Sequence, residues 1–280
     1  MYNNSATVAI LLATYNSADY LSQQLDSLFD QTYKDWHIFI HDDGSTDNTL
    51  NIVNDYSVKY GKITVLNDDK KRLGATFNFV HILNNVNSRY YMFCDHDDVW
   101  LPKKIAITVE EIEKVESKYP QKAVLVHTDL QVVDKDLTCI SSSLWQHAKI
   151  SPRLLKQKKF ALVSYFATGC TMGFNAIAKR ELAIDFPNDK YFLHDAWIAL
   201  QAVYKDAIIV SVDKPTILYR LHGNNAAGVP KIGIAYYLKR LSFIRRFATD
   251  LKDKRPYINY FNYGSFLKYL YYKAIYSLKR

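Results

Sequence analysis

The reactive side chains of this sequence concentrate at Asp95-His96-Asp97-Asp98, directly behind the apolar run Tyr90-Tyr91-Met92-Phe93-Cys94. Carboxylates set this close repel one another unless a cation neutralises them. Hard oxygen donors of this kind suit Mg2+ or Mn2+, which bind through one or two carboxylates together with substrate phosphates. The implied chemistry is that of a metal-bridged phosphate compound. Asp clusters also build turns and helix caps. Pro102 fits the start of a helix, which makes Asp98 a candidate cap. If residues 95–97 stay extended, Asp95 and Asp97 share one face and His96 turns away.

Two other polar segments stand behind apolar runs. Thr14-Tyr15-Asn16-Ser17 follows 8–13, and Asp42-Asp43-Gly44-Ser45-Thr46-Asp47 follows 36–41. Each run reads as a buried strand. Between them Leu21, Leu25 and Leu28 recur at helical spacing, predicting a helix over 18–30 capped by Asn16 or Ser17. Leu50, Val53 and Tyr56 mark a second helix, 63–66 a third strand, 77–83 a third helix and 90–94 a fourth strand. Strands alternating with helices predict an α/β fold with a parallel sheet. The polar exits of such strands emerge on one edge, where ligands bind.

Past residue 100 the pattern loosens. A charged helix is predicted over 102–119, and strands over 123–127, 130–133, 208–212 and 216–220. Segment 141–159 reads as loop and short helix. Thr168-Gly169-Cys170-Thr171 lies in an apolar stretch, 176–183 is helical, and His194-Asp195 precedes a helix over 196–204. Residues 230–280 alternate tyrosines and other aromatics with Lys239, Arg240, Arg245 and Arg246. Such a pattern suits a membrane interface, a core cap or a dimer contact.

Composition bounds the possibilities. With 49% hydrophobic residues the 280-residue chain can bury a sizeable core, and a net charge of +8 favours anionic partners. Its three cysteines lack paired spacing, so neither a zinc site nor a disulfide framework is indicated. A reducing cytoplasm is the expected compartment. No apolar run reaches the roughly 20 residues that span a bilayer.

The ordered set Thr14-Tyr15-Asn16, Asp42-Asp43-Gly44-Ser45-Thr46-Asp47 and Asp95-His96-Asp97 resembles the inverting family 2 glycosyltransferases with the GT-A fold. Two later segments join it: His194-Asp195-Ala196-Trp197, similar to the motif carrying the catalytic base, and Leu218-Tyr219-Arg220-Leu221-His222-Gly223-Asn224-Asn225. The latter resembles a motif of a bacterial branch that includes rhamnosyltransferases acting on surface polysaccharides. The resemblance covers about residues 6–226, leaving 227–280 as a basic, aromatic helical extension. It implies a Rossmann-like, mostly parallel sheet flanked by helices.

The resemblance also implies roles. Thr14, Tyr15 and Asn16 would line the base pocket. Asp42 or Asp43 would accept hydrogen bonds from base or ribose, and Arg72 would reach diphosphate or base. Asp97 would bind Mn2+ or Mg2+, Asp95 would hold ribose or metal-bound water, and His222 would be a third ligand, favouring Mn2+. Asp195 would be the general base, unless it only caps its helix. Thr168, Gly169, His194 and Trp197 would contact sugar or acceptor.

The donor would be dTDP-rhamnose or a UDP-hexose, and the acceptor a saccharide or lipid-linked saccharide. A peripheral contact with the inner membrane face and a homodimer are further expected partners. Nucleic acid is not, since no RRM, KH or helix-turn-helix signature stands out. The Gln-x-x-Arg-Trp motif of processive synthases is missing, favouring single-sugar transfer. His96 stands where Gln is more usual in the rhamnosyltransferase-like branch, which leaves the donor open. A sugar-phosphate nucleotidyltransferase, a glycoside hydrolase and a basic nucleic-acid-binding protein are the alternatives.

Overall fold

The strands and helices of the amino-terminal half fall where the apolar runs place them. In the computed structural model, which describes residues 1–3, 5–183, 186–187, 192–222, 252 and 254–279, they run in alternation. After the short β1 (Tyr2–Asn3) come β2 (Val8–Thr14), α1 (Leu21–Phe29), β3 (Trp36–Asp42), α2 (Thr49–Tyr60), β4 (Ile63–Val65) and α3 (Gly74–Asn85). Then follow β5 (Val86–Asn87), β6 (Tyr90–Cys94), β7 (Val99–Trp100) and α4 (Lys104–Glu116). Strand β2 is buried along its whole length, so its unbroken run Val-Ala-Ile-Leu-Leu-Ala-Thr is what a strand covered on both faces requires.

The carboxy-terminal half adds β8 (Val124–Val133), β9 (Cys139–Ser141), α5 (Leu144–His147), α6 (Pro152–Leu155), β10 (Met172–Asn175), α7 (Ala176–Leu182), α8 (His194–Tyr204) and β11 (Ile208–Arg220). The main sheet has the order β4-β3-β2-β6-β10-β8-β11-β7, with β9 on β8. Strands β4, β3, β2 and β6 are parallel, as predicted. Beyond β6 the sheet is mixed rather than mostly parallel, because β10 runs antiparallel to both β6 and β8.

Two pairs of predicted strands are single long strands. Residues 123–127 and 130–133 join in β8, where buried Thr128 and Asp129 find polar partners and so do not break the strand. Residues 208–212 and 216–220 join in β11, which passes Pro215 with shifts of register against β8. A proline cannot donate to a ladder, and an irregularity is where a strand tolerates one.

Helices α3 and α8 and the carboxy-terminal segment share one buried cluster. It includes Phe79, Phe93, Phe174, Trp197, Tyr257, Tyr263, Tyr269 and Tyr276. The opposite sheet face packs Leu21, Leu25 and Leu28 of α1 and Ile105, Val109 and Ile112 of α4. Residues 254–260 and the helix Phe266–Lys279 thus bury tyrosines in the same cluster as α3 and α8. Residues 223–250, with the rest of the Gly223-Asn224-Asn225 motif and the basic run near 240, lie outside the described residues.

Candidate functional site

The acidic segment after β6 divides into two groups. Strand geometry ends at Cys94 and the chain bends at 96–97, so the extended-backbone argument for a shared Asp95–Asp97 face does not hold. His96 is turned to β2, its Nδ1 3.3 Å from the Ala13 carbonyl. Asp97 faces the end of β11: its Oδ2 lies 2.7 Å from Nε2 of His222. Asp95 lies with buried Asp98 and Cys170, donor atoms of the three all within 4.8 Å.

Asp98 does not cap α4, whose N-terminal flank Lys103 has no side-chain cap. It is needed elsewhere: Oδ1 accepts the Arg220 backbone N–H at 3.1 Å, fastening the loop to β11. Burial and neighbouring Asp97 push both Asp95, to about 7, and Asp98 upward; Asp195 adds to the first and Asp95 to the second. This is the electrostatic signature of carboxylates crowded away from water. Oδ2 of Asp98 is buried without a hydrogen-bond partner among the described residues. A divalent cation fits such a donor set, and the His222 imidazole beside Asp97 tilts it toward Mn2+.

Loops after β2 and β3 form the next part of the edge. Oδ1 of Asp42 accepts from the Gly44 and Ser45 amides, and Oδ2 from the Ser45 and Thr14 hydroxyls. A carboxylate has about four acceptor positions, so Asp42 is saturated and has no position left for base or ribose. Asp43 accepts one bond per oxygen, from Leu73 N–H at 2.6 Å and Gly74 N–H at 2.8 Å, and keeps acceptor capacity. Asn16, in a left-handed conformation at φ 45°, binds Ser45 through its N–H and Thr46 through its side chain. Tyr15 beside it is 53% exposed, an aromatic face open to stacking. Arg72 is also exposed, and its N–H bonds the Asp43 carbonyl.

Asp195 stands in the first turn of α8, behind the flanking Leu193, and so is not the capping residue. Its Oδ2 accepts the Gly169 N–H at 3.0 Å and its Oδ1 the Ala196 N–H at 2.6 Å. A β-carbon on Gly169 would meet His194 Nε2 at 3.0 Å, which explains glycine there. His194 is buried between Phe79 and Phe93, with ring centroids 4.4 and 4.8 Å away. Burial lowers its pKa, and the ring packs between the two phenylalanines next to Asp195. Thr168 flanks the same turn; its carbonyl accepts from Thr171. Trp197 corrects the expectation of a sugar contact: it is fully buried against Phe192 and Tyr260, facing the core because α8 turns that side inward.

Sequence reasoning missed two buried cations. Arg220 is 2% exposed. Its guanidinium donates to the Asp97 carbonyl at 2.9 Å, the Lys135 carbonyl at 2.6 Å and Gln23 Oε1 at 2.6 Å, and lies 4.6 Å from the Tyr20 ring. It holds Asp97 by its backbone while leaving the carboxylate to His222. Lys104 is fully buried, 4.5 Å from the Trp100 ring, and burial pushes its ammonium down to about 8. A lysine on the apolar face with Ile105, Thr108, Val109 and Ile112 was the available signal.

Residues 9–182 match the family model described as glycosyl transferase family 2. The chain is similar to the dTDP-rhamnosyl transferase RfbG of Shigella flexneri, 30% identical over 249 residues that cover 84% of this chain and 79% of that protein. It is also similar to the putative glycosyltransferase EpsE of Bacillus subtilis, 32% identical over 40% of each chain. Residues 1–349 of TarS from S. aureus, solved with UDP-GlcNAc, superpose with a TM-score of 0.60 at 18% identity, over 80% of this chain and 62% of that one. The mannosyltransferase PcManGT of Pyrobaculum calidifontis, solved with GDP-Man and Mn2+, gives 0.52 at 18% identity, over 90% and 67%. At that identity the two structures speak for the fold. With its family model matching well over half the residues and its sheet superposing on these enzymes, this chain belongs to glycosyl transferase family 2 and is a glycosyltransferase of the GT-A fold.

Proposed function

We propose that the chain is an inverting, metal-dependent enzyme that moves one sugar from a nucleotide-sugar to a saccharide or lipid-linked saccharide in bacterial surface polysaccharide synthesis. The observation that carries this reading is the Asp97–His222 contact at 2.7 Å. It pairs two candidate metal ligands from distant segments at the edge where Tyr15, Asp43 and Asp195 also stand. Likeness to a dTDP-rhamnosyl transferase favours dTDP-rhamnose over a UDP-hexose as donor.

In this reading Tyr15, with Thr14 and Asn16 behind it, stacks on the base, and Asp43 rather than Asp42 accepts from base or ribose. Arg72 reaches toward the diphosphate. Asp97 and His222 would hold the divalent ion, Mn2+ or Mg2+, with Asp95 beside them on ribose or on metal-bound water. Such an ion, when bound, supplies positive charge to the departing diphosphate. Asp195 takes the proton of the acceptor hydroxyl as that oxygen attacks the anomeric carbon, and the configuration inverts in one displacement. Thr168 and Gly169 shape the sugar side of the cleft.

Residues 1–226 form the catalytic part and 227–280 an extension that meets the inner face of the membrane, with homodimer contact as its other use. No helix among the described residues is long and apolar enough to cross a membrane. The helix Phe266–Lys279 buries Tyr269 and Tyr276 but exposes Leu267, Tyr271 and Leu278 beside Lys268 and Lys279. That second face suits an anionic interface. Release of nucleoside diphosphate from dTDP-rhamnose and from UDP-hexoses, with Mn2+, Mg2+ or chelator, tests the activity. Transfer that is indifferent to chelator, or unchanged in Asp97→Asn, overturns the metal assignment.

A further inference from the structure

Behind the donor edge, on the α3 side of the sheet, two histidines converge on one carboxylate. His41 is the next-to-last residue of β3, one before Asp42, His81 lies on α3, and Asp68 follows β4. Nε2 of His81 is 2.6 Å from Asp68 Oδ2, Nε2 of His41 is 3.4 Å from Asp68 Oδ1, and the ring centroids are 4.7 Å apart. One donor atom from each residue falls within a 4.8 Å span. His41 is 1% exposed and His81 9%, while the Asp68 side chain is 35% exposed, leaving the cluster an opening to solvent.

Hydrogen bonds fix how His41 presents itself. Asn78 donates its Nδ2 to the His41 carbonyl at 3.2 Å, so its Oδ1, 2.7 Å from His41 Nδ1, must accept. The Nδ1 therefore carries a proton. In the neutral ring the Nε2 lone pair then points at Asp68, two acceptors facing each other. This is the arrangement in which a metal-binding histidine is held, its other nitrogen donating to an oxygen partner. At His81 the partner of Nδ1 among the described residues is Asn85 Nδ2 at 3.4 Å, and that amide also donates to the His81 carbonyl at 2.9 Å. Moving the His81 proton from Nε2 to Nδ1 gives up the long Asn85 contact and the 2.6 Å bond to Asp68, the latter being what a shared ion would replace.

We infer that His41, Asp68 and His81 form a second divalent-metal site, distinct from Asp97 and His222, whose ion ties segment 67–73 to the sheet. Two imidazoles and one carboxylate with an open fourth position suit Zn2+, and an exposed carboxylate provides the entry path. The segment it would tie is already fastened at its far end, where Leu73 and Gly74 bond Asp43. Lys70, Lys71 and Arg72 lie between the two fastenings, all exposed. The ion would thereby steady Arg72 without touching substrate. The inference is independent of the donor and acceptor assigned above.

Cobalt reports on the site directly. Chelator-stripped protein carrying Asp97→Asn and His222→Gln, titrated with Co2+, is expected to take up one equivalent with the visible absorption of four-coordinate cobalt, displaced by Zn2+. Adding Asp68→Asn or His81→Gln is expected to weaken that uptake by about tenfold or more. In the otherwise native chain Zn2+ is expected to slow tryptic cleavage after Lys70, Lys71 and Arg72 and to raise the unfolding temperature. Both effects should shrink in Asp68→Asn and persist in Asp97→Asn. No cobalt absorption, absorption indifferent to Asp68→Asn and His81→Gln, or cleavage indifferent to Zn2+ overturns the site. Each leaves the sugar-transfer reading intact, because that reading is measured through product release.

Discussion

The backbone N–H of Gly169 donates to Oδ2 of Asp195 at 3.0 Å, while the other carboxylate oxygen takes the Ala196 N–H. Two backbone donors therefore set the carboxylate's orientation and leave each oxygen a free acceptor position. Asp195→Asn keeps a side-chain oxygen for one of these bonds and removes the basicity. Its kcat is expected to fall by a factor of about 10^2 to 10^4. Donor affinity, read by calorimetry with the nucleotide-sugar, should stay near that of the native chain. Retained turnover in a folded variant would remove Asp195 as the base.

Gly169→Ala probes the same turn from the other side. Its β-carbon would stand 3.0 Å from His194 Nε2, in a ring wedged between Phe79 and Phe93. Crowding against this packed ring should cost about 1–3 kcal/mol. Chemical denaturation measures the loss. Activity should drop further than stability accounts for, since the shift of His194 carries Asp195 with it.

Arg220→Lys separates charge from shape. A lysine keeps the positive charge but cannot reach the Asp97 and Lys135 carbonyls and Gln23 together. Loss of these part-buried bonds should cost about 1–3 kcal/mol. Because the Asp97 backbone loses its tether, Mn2+ affinity is expected to weaken alongside, read by the metal concentration that half-saturates activity.

His127 sets part of the acid limit of stability. The ring is fully buried beside Trp145 and Phe166, with Nε2 2.7 Å from Ser211 Oγ. Burial, aided by Lys156, lowers its pKa from 6.5 to about 3. Between those values the unfolded chain binds a proton that the folded chain does not, so stability falls as pH drops below 6.5. By pH 4.5 the loss from this group is about 2–3 kcal/mol. His127→Leu should flatten the acid limb of a urea-unfolding series from pH 7 to 4.5. A limb as steep as the native chain's would assign it to other groups.

Periodicity located the first four sheet strands because β2, β3, β4 and β6 are apolar runs bounded by polar turns. It split β11 at Pro215, since a local reading cannot see the neighbouring strand that carries the ladder past a proline. It could not distinguish Asp42 from Asp43: the difference lies in which backbone amides fold back on each, a property of the loops. Trp197 was expected to contact sugar or acceptor through the motif it shares with Asp195, yet its ring packs against Phe192 and Tyr260 in the core. Arg220 was illegible because carbonyls from remote segments hold its guanidinium, which no local pattern encodes. Lys104 was legible only as a lysine on an otherwise apolar helix face.

The pairing of β11 with β8 has a consequence for biosynthesis. Arg220 and His222 reach the Asp95–Asp98 turn only when the last strand of the sheet docks. A nascent chain shorter than 222 residues has the loops around Asp43 and lacks the histidine and the clamp. On the roles assigned above, such a chain cannot consume donor while still on the ribosome. On those roles, catalytic competence would arrive only with completion of the sheet.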